Sequence, residues 1–268
     1  MAPGDSVLQI LQHGHTVYPI HVASFTLITF DWMLLFSDEV QYVWRKRWQF
    51  VDYLYLISRY LPFVDTVLIF AKCFSTEVQP KGCHILEAIG GVSLGSGLLI
   101  SELVLVWRTY AIWDKSRKVL RGLLATWMAL LVSTAYCISA DIKSTTYTVP
   151  PLHDLPSCNL LSGDRVLYAQ FICLLSFELV IIVLTVIRAA EQLQDVRTGQ
   201  VTRAVYRDSI LFFLCLFAFS TATVWIPRDN VLKYDDSLAQ LTRNVHSILC
   251  CRTILHLRQE ATGDLEVL

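Results

Sequence analysis

The chain has 268 residues, 54% of them hydrophobic and 17% charged, with a formal net charge of −1 at pH 7. That charged fraction, against about 25% in an ordinary soluble domain, and repeated apolar runs of about 20 residues, the length that crosses a hydrocarbon layer of about 30 Å, point to membrane embedding. The near-zero net charge argues against a nucleic-acid binder, and no Gly-rich phosphate loop, paired CxxC or HExxH suggests a soluble enzyme.

The first residues, MAPGDSVLQILQHGHTVYP, lack the basic stretch and small-residue cleavage site of a secretory signal, so the first membrane helix is expected to act as its own insertion signal. Seven spans are predicted: Val17–Phe36, Phe50–Ala71, Leu86–Val106, Val119–Ala140, Val166–Ile187, Ser209–Ile226 and Leu238–Leu257. The sixth is short and stops at Pro227, and the seventh carries Gln240, Arg243, Asn244, His246 and Arg252, so it is the least apolar. The expected fold class is all-α, a polytopic bundle forming a single domain over residues 1–268.

Basic residues are unevenly shared among the connections. Arg45, Lys46, Arg47, Arg108, Lys115, Arg117, Lys118, Arg188, Arg197, Arg203 and Arg207 fall in odd-numbered loops, with Arg121 just inside the adjoining fourth span, and Lys72, Lys81, Lys143, Arg165, Arg228 and Lys233 in even-numbered ones. The positive-inside rule therefore places the odd loops in the cytoplasm, the N-terminus outside and the C-terminus inside. Trp32, Trp44, Trp48, Trp107, Trp113 and Trp225 lie near span ends, as an interfacial belt would have them. The long outer loop, residues 141–165, holds Pro150, Pro151 and Pro156 and is predicted to be irregular. Residues 258–268 are expected to form a short cytoplasmic tail.

The first two spans, with Asp31, Glu39–Val40, Trp44, Trp48, Arg59–Tyr60 and Pro62, carry a resemblance. This region, about residues 22–66, resembles the N-terminal domain of unknown function in a large family of fungal, mostly mushroom-type, multi-pass membrane proteins. Later echoes are Arg108–Trp113, Tyr206–Asp208, Cys251–Arg252 and Leu255–Arg258, while Phe30, Ser58 and His256 depart from the usual pattern. The resemblance implies a seven-helix integral membrane protein and supplies neither ligand nor reaction.

The third span has a readable geometry. Glu87, Gly91, Gly95, Leu98 and Glu102 share one helical face by their spacing. Gly91 and Gly95 form a GxxxG pair, read as helix packing. The same face would carry Glu102 inward, where an intramembrane acid is costly and usually has a role.

Arg59 lies nine positions past Phe50, about 13 Å into the second helix. Asp65 is about 120° further round that helix and across the kink expected at Pro62, so it is a poor partner; of Asp31 on the first span and Glu178 on the fifth, at comparable depths, Asp31 on the consecutive, antiparallel helix is favoured. Asp65 and Arg243 share the outer half and would join the second and seventh spans. For both pairs a structural clamp and a functional role stay open. Counted together, Asp31, Asp65, Glu102 and Glu178 are four acids against Arg59 and Arg243. Either two carboxyls carry protons or a hydrated or cation-binding cavity receives them, which is the hypothesis of an internal polar site.

Cys83 opens the third span and Cys158 lies in the long outer loop, both facing an oxidising compartment. A bridge between them would pin that loop over the bundle mouth, although spacing alone does not fix connectivity. Cys73, Cys137, Cys173 and Cys215 are read as small apolar packers, and Cys250 and Cys251 as packers or lipidation sites. His246 and His256 are ten residues apart, about 15 Å along a helix, and cannot share one ion. His13 and His15 have no evident partners, and neither metal nor cofactor is expected.

These features describe a receptor-like or sensing bundle without catalytic role, in the plasma membrane or an endomembrane. Its partners would be the lipid bilayer, a small ligand on the outer side and a cytoplasmic signalling protein, with no nucleic acid. The alternative is a proton- or cation-coupled transporter using the intramembrane carboxylates.

Overall fold

The structure, a computed structural model, describes the backbone of residues 3–74, 79–148, 158–162, 166–194, 200–225 and 231–266, and the side chains of residues 17–74, 79, 81–146, 158, 169–192, 210–225, 237–256 and 258–259. Outside this set fall most of the proline-rich loop, the side chains of His13 and His15, and those of Arg165, Arg197, Arg203, Arg207, Arg228 and Lys233.

Among the described residues there are seven long helices: α1 (Pro3–Glu39), α2 (Phe50–Phe74), α3 (Pro80–Ile112), α4 (Arg117–Ser144), α5 (Val166–Gln194), α6 (Gln200–Trp225) and α7 (Val231–Glu266). Most overrun the predicted spans. Residues 258–266 of the expected tail continue α7 as helix to Glu266. Within the loop expected to be irregular, β1 (Thr146–Thr148) pairs antiparallel with β2 (Asn159–Ser162). Alternating Thr-Tyr-Thr suits a short strand, and the pairing satisfies backbone groups that an open loop would leave to solvent.

Local chemistry sets several boundaries. After Glu39, α1 continues through one π-helical turn, Val40–Trp44. At the start of α2, Asp52 accepts the Gln49 backbone N–H at 2.7 Å, satisfying one of the orphan donors of a helix N-terminus. Pro80 occupies the first turn of α3, where its missing N–H costs nothing. The chain reverses between α3 and α4 through Asp114 and Lys115, at φ 49° and 59°.

Pro62 lies inside α2. It cannot donate to the Ser58 carbonyl four residues earlier, and that carbonyl instead accepts from the Ser247 hydroxyl of α7 at 2.5 Å. A neighbouring hydroxyl satisfying the freed group is how a membrane helix tolerates an internal proline.

The helices close a ring in chain order, each packing on the next and α7 returning to α1. Within it, α3 also touches α5 and α7, and α7 also touches α2. Outward faces are apolar: Phe30, Met33, Val67, Val132 and Tyr136 are exposed, Tyr136 at 72%. The interior mixes Leu105, Phe177, Ile181 and Leu216 with buried Asp31, Arg59, Glu102, Arg243 and His246. Apolar outside with ionic groups inside suits a chain solvated by lipid, where interior polar groups pair with one another. Five helices are long and apolar enough to cross a membrane, spanning Val17–Trp44, Phe50–Phe74, Lys81–Ile112, Arg117–Ser144 and Ala169–Gln192. In α6 the apolar stretch is shorter, Ile210–Trp225.

Candidate functional site: three buried polar clusters

The first cluster joins α1, α2 and α7. Arg59 donates from Nε to Glu39 at 2.9 Å, from Nη1 to Asp31 at 3.1 Å and from Nη2 to the Trp32 carbonyl at 3.2 Å. Glu39 also accepts from Tyr60 at 2.8 Å and from the Trp44 indole at 3.1 Å. The other Asp31 oxygen accepts from Arg252 at 2.6 Å. Two carboxylates meet two guanidiniums and the lone pairs are well used, which is the condition for a buried ion pair to be tolerated. Asp31 is thus the partner expected of Arg59, joined by Glu39, which the sequence reading left out of its charge count. Residue 39 lies beyond the apolar run, yet α1 extends to it and its side chain is fully buried.

In the second cluster Arg243 of α7 lies 3.8 Å from Asp65 of α2, an ion pair without a hydrogen bond. Asp65 accepts from Ser93 of α3. Arg243 reaches Ser101 at 3.4 Å, leaving its Nε and Nη2 without a hydrogen-bond partner in the protein. The space for its guanidinium is supplied by Gly97 of α3, where a Cβ would come to 2.5 Å of Arg243 Cζ and closer still to Nε. Gly97 lies outside the Gly91–Gly95 pair, and its role comes from Arg243 opposite rather than from a motif on α3.

The third cluster gathers Glu102 of α3, Glu178 of α5, Ser220 of α6 and His246 of α7. His246 Nδ1 lies 3.1 Å from Glu102, and Nε2 lies 3.2 Å from Glu178 and 3.2 Å from the Ser220 hydroxyl. Ser220 donates to Glu178 at 2.7 Å. Glu102 and His246 are fully buried and Glu178 nearly so. The acids of the third and fifth spans therefore face the interior together, and Glu102 meets His246. In the sequence, His246 has His256 as its only histidine neighbour on the seventh span, too far away to share an ion. A usable signal was its spacing from Arg243 and Cys250, three and four residues away on one helical face.

Around these clusters α7 forms a polar spine. Asn244 donates to Ser24 of α1 at 2.8 Å, Thr242 bonds Thr223 of α6 at 2.6 Å, and Gln240 reaches Thr66 of α2 at 3.5 Å.

The glycine face of α3 divides between neighbours. Gly95 abuts Ile138 and Thr134 of α4, with a Cβ there falling 2.7 Å from Ile138, whereas at Gly91 it would meet Ile138 at an ordinary 3.6 Å. The close approach therefore belongs to Gly95 and not to the whole GxxxG pair. Glu87 pairs with Lys72 of α2. Cys83 and Cys158 are joined as a disulfide, with Cα atoms 5.4 Å apart, which fastens β2 to the start of α3. Cys250 and Cys251 are buried, which favours packing over lipidation.

Fold and polar core together define a helical, membrane-type protein with an ionic interior. Residues 20–64 match the sequence model of a family of unknown function, DUF6533, a stretch that contains Asp31, Glu39 and Arg59 but none of the third cluster. No curated protein matches the chain.

Proposed function

We propose that the chain is a single-domain, seven-helix integral membrane protein of receptor-like or sensing type, with its N-terminus outside, its C-terminus inside and no catalytic role. In this reading α6 and α7 also span the bilayer, α7 crossing despite its polarity because α1, α2, α3 and α6 surround it. The relation to fungal multi-pass membrane proteins belongs to the same proposal, as does residence in the plasma membrane or an endomembrane.

The observation that carries the reading is the disulfide between Cys83 and Cys158. It ties the β1–β2 ribbon to the end of α3 opposite the basic Arg108–Lys118 turn, so one end suits an oxidising exterior and a small ligand. The other suits anionic headgroups and a cytoplasmic partner. No nucleic acid enters this picture. A glycosylation acceptor introduced within residues 149–157 is expected to be modified in cells, and one within residues 195–199 is expected to stay bare. The reverse pattern would overturn the orientation.

The second reading, a proton- or cation-coupled carrier, is favoured by one observation: two buried carboxylates, Glu102 and Glu178, share a single imidazole. Proteoliposomes holding a pH-sensitive dye separate the two. The sensing reading expects proton flux no greater than in empty vesicles, and a flux abolished by Glu102→Gln or Glu178→Gln would replace it with the carrier.

A further inference from the structure

We propose that Glu102, Glu178 and His246 bind a single divalent first-row transition-metal ion of the Zn2+ kind at the centre of the bundle. The inference is independent of the sensing reading, since a resident ion would be found whatever signal the protein handles.

Three observations converge. One ligand atom from each of the three residues lies within 4.8 Å of the others. Zinc holds nitrogen and oxygen donors at about 2.0–2.2 Å, so the side chains need to close in by only about an ångström. Next, the hydrogen bonding of the cluster is one-sided. The Ser220 hydroxyl donates to Glu178 Oε1 and lies within reach of His246 Nε2. This side therefore suits an Nε2–H whose proton points at Ser220 or Glu178. That tautomer leaves Nδ1 with a free lone pair, and Nδ1, both oxygens of Glu102 and Oε2 of Glu178 are buried without a hydrogen-bond partner in the protein. A ligating histidine whose other ring nitrogen donates to a polar or acidic neighbour is the usual arrangement at metal sites. Finally, two carboxylates and a neutral imidazole total −2, which a divalent ion cancels, and an uncancelled charge within the membrane is expensive.

Donor chemistry narrows the ion. Imidazole with carboxylate suits zinc and its neighbours. Calcium would need six to eight oxygens, and two carboxylates with one hydroxyl fall short. Although buried, Cys250 donates its thiol to the Ser101 carbonyl at 3.6 Å and is not among the ligands.

The test uses the full-length protein, purified in detergent through an affinity tag without histidines, stripped with chelator and reloaded with one equivalent of Zn2+ or Co2+. After desalting, about one metal ion per chain is expected, with Co2+ giving the visible bands of a low-symmetry nitrogen and oxygen site. Glu102→Gln and His246→Gln are expected to lower retained metal at least tenfold. Ser220→Ala, which removes a hydrogen-bonding neighbour of His246 and Glu178 but no ligand, is expected to weaken binding about 10-fold to 100-fold. Wild-type protein that retains no metal would overturn the proposal and leave an imidazolium clamped between two carboxylates. It would equally be overturned by variants that keep a full equivalent, or by sulfur ligands at the zinc absorption edge. Because wild-type stoichiometry and ligand type decide the matter alone, a variant that does not fold leaves the test intact.

Discussion

Replacing Arg59 with Gln is expected to destabilise the bundle by about 3–5 kcal/mol, the usual cost of leaving buried charges without their partner. Arg59 is the hub of the first cluster, bonded to Glu39, Asp31 and the Trp32 carbonyl. Without it, Glu39 keeps only the neutral donors Tyr60 and Trp44, and Asp31 keeps Arg252, whose side chain is half exposed. Lysine at this position is expected to recover only part of the loss, because a single ammonium cannot reproduce the forked contacts to two carboxylates and a carbonyl. Removing all three charges together, with Arg59→Met, Asp31→Asn and Glu39→Gln, is expected to restore most of the stability, since a neutral core escapes the desolvation cost. Denaturation in mixed micelles, followed by the apparent unfolding midpoint, checks all three outcomes. A Gln variant as stable as wild type would show that the clamp is not formed.

Substituting Gly97 with Val is expected to cost about 1–3 kcal/mol through overpacking, with a further loss from displacing Arg243. Bulk at this position enters the space of the guanidinium. An arginine tip at a surface would swing aside, but Arg243 is fully buried, pairs with Asp65 and reaches Ser101. Moving it strands the Asp65 carboxylate. Gly91→Val is the matched control: its Cβ meets Ile138 at 3.6 Å, so a much smaller loss of folded, monodisperse protein is expected in size-exclusion chromatography. Equal losses at the two sites would contradict the packing described here.

Much of the architecture could be read from the residues, because hydrophobic runs of membrane length carry a strong local signal. The α3 face was legible for the same reason, since a helix's own periodicity determines which side chains lie together. What escaped depends on neighbours distant in sequence. The polar character of α7 makes it the least apolar of the seven predicted spans when hydropathy is read alone. Gln240, Arg243, Asn244, His246 and Ser247 are buried among other helices, where polarity is needed rather than penalised. Glu39 escaped because it lies past the apolar run, where composition alone does not show that α1 continues and buries it. The role of Pro62 was legible only as a kink; that Ser247, 189 residues away from Ser58, would satisfy the freed carbonyl required the assembled bundle. Gly97 escaped because its reason is the guanidinium opposite, not a motif on its own helix.

The central claim is that α3, α5 and α7 meet through a buried polar cluster, and the 3.1 Å approach of Glu102 to His246 is what brings α3 and α7 together in it. A double-mutant cycle tests it most directly, with unfolding measured for wild type, Glu102→Gln, His246→Gln and the double variant under one set of conditions. Groups in one buried network couple by about 0.5–3 kcal/mol, so the double variant is expected to be markedly more stable than the sum of the single losses implies. Additivity within about 0.3–0.5 kcal/mol, the behaviour of sites that do not touch, would contradict the cluster.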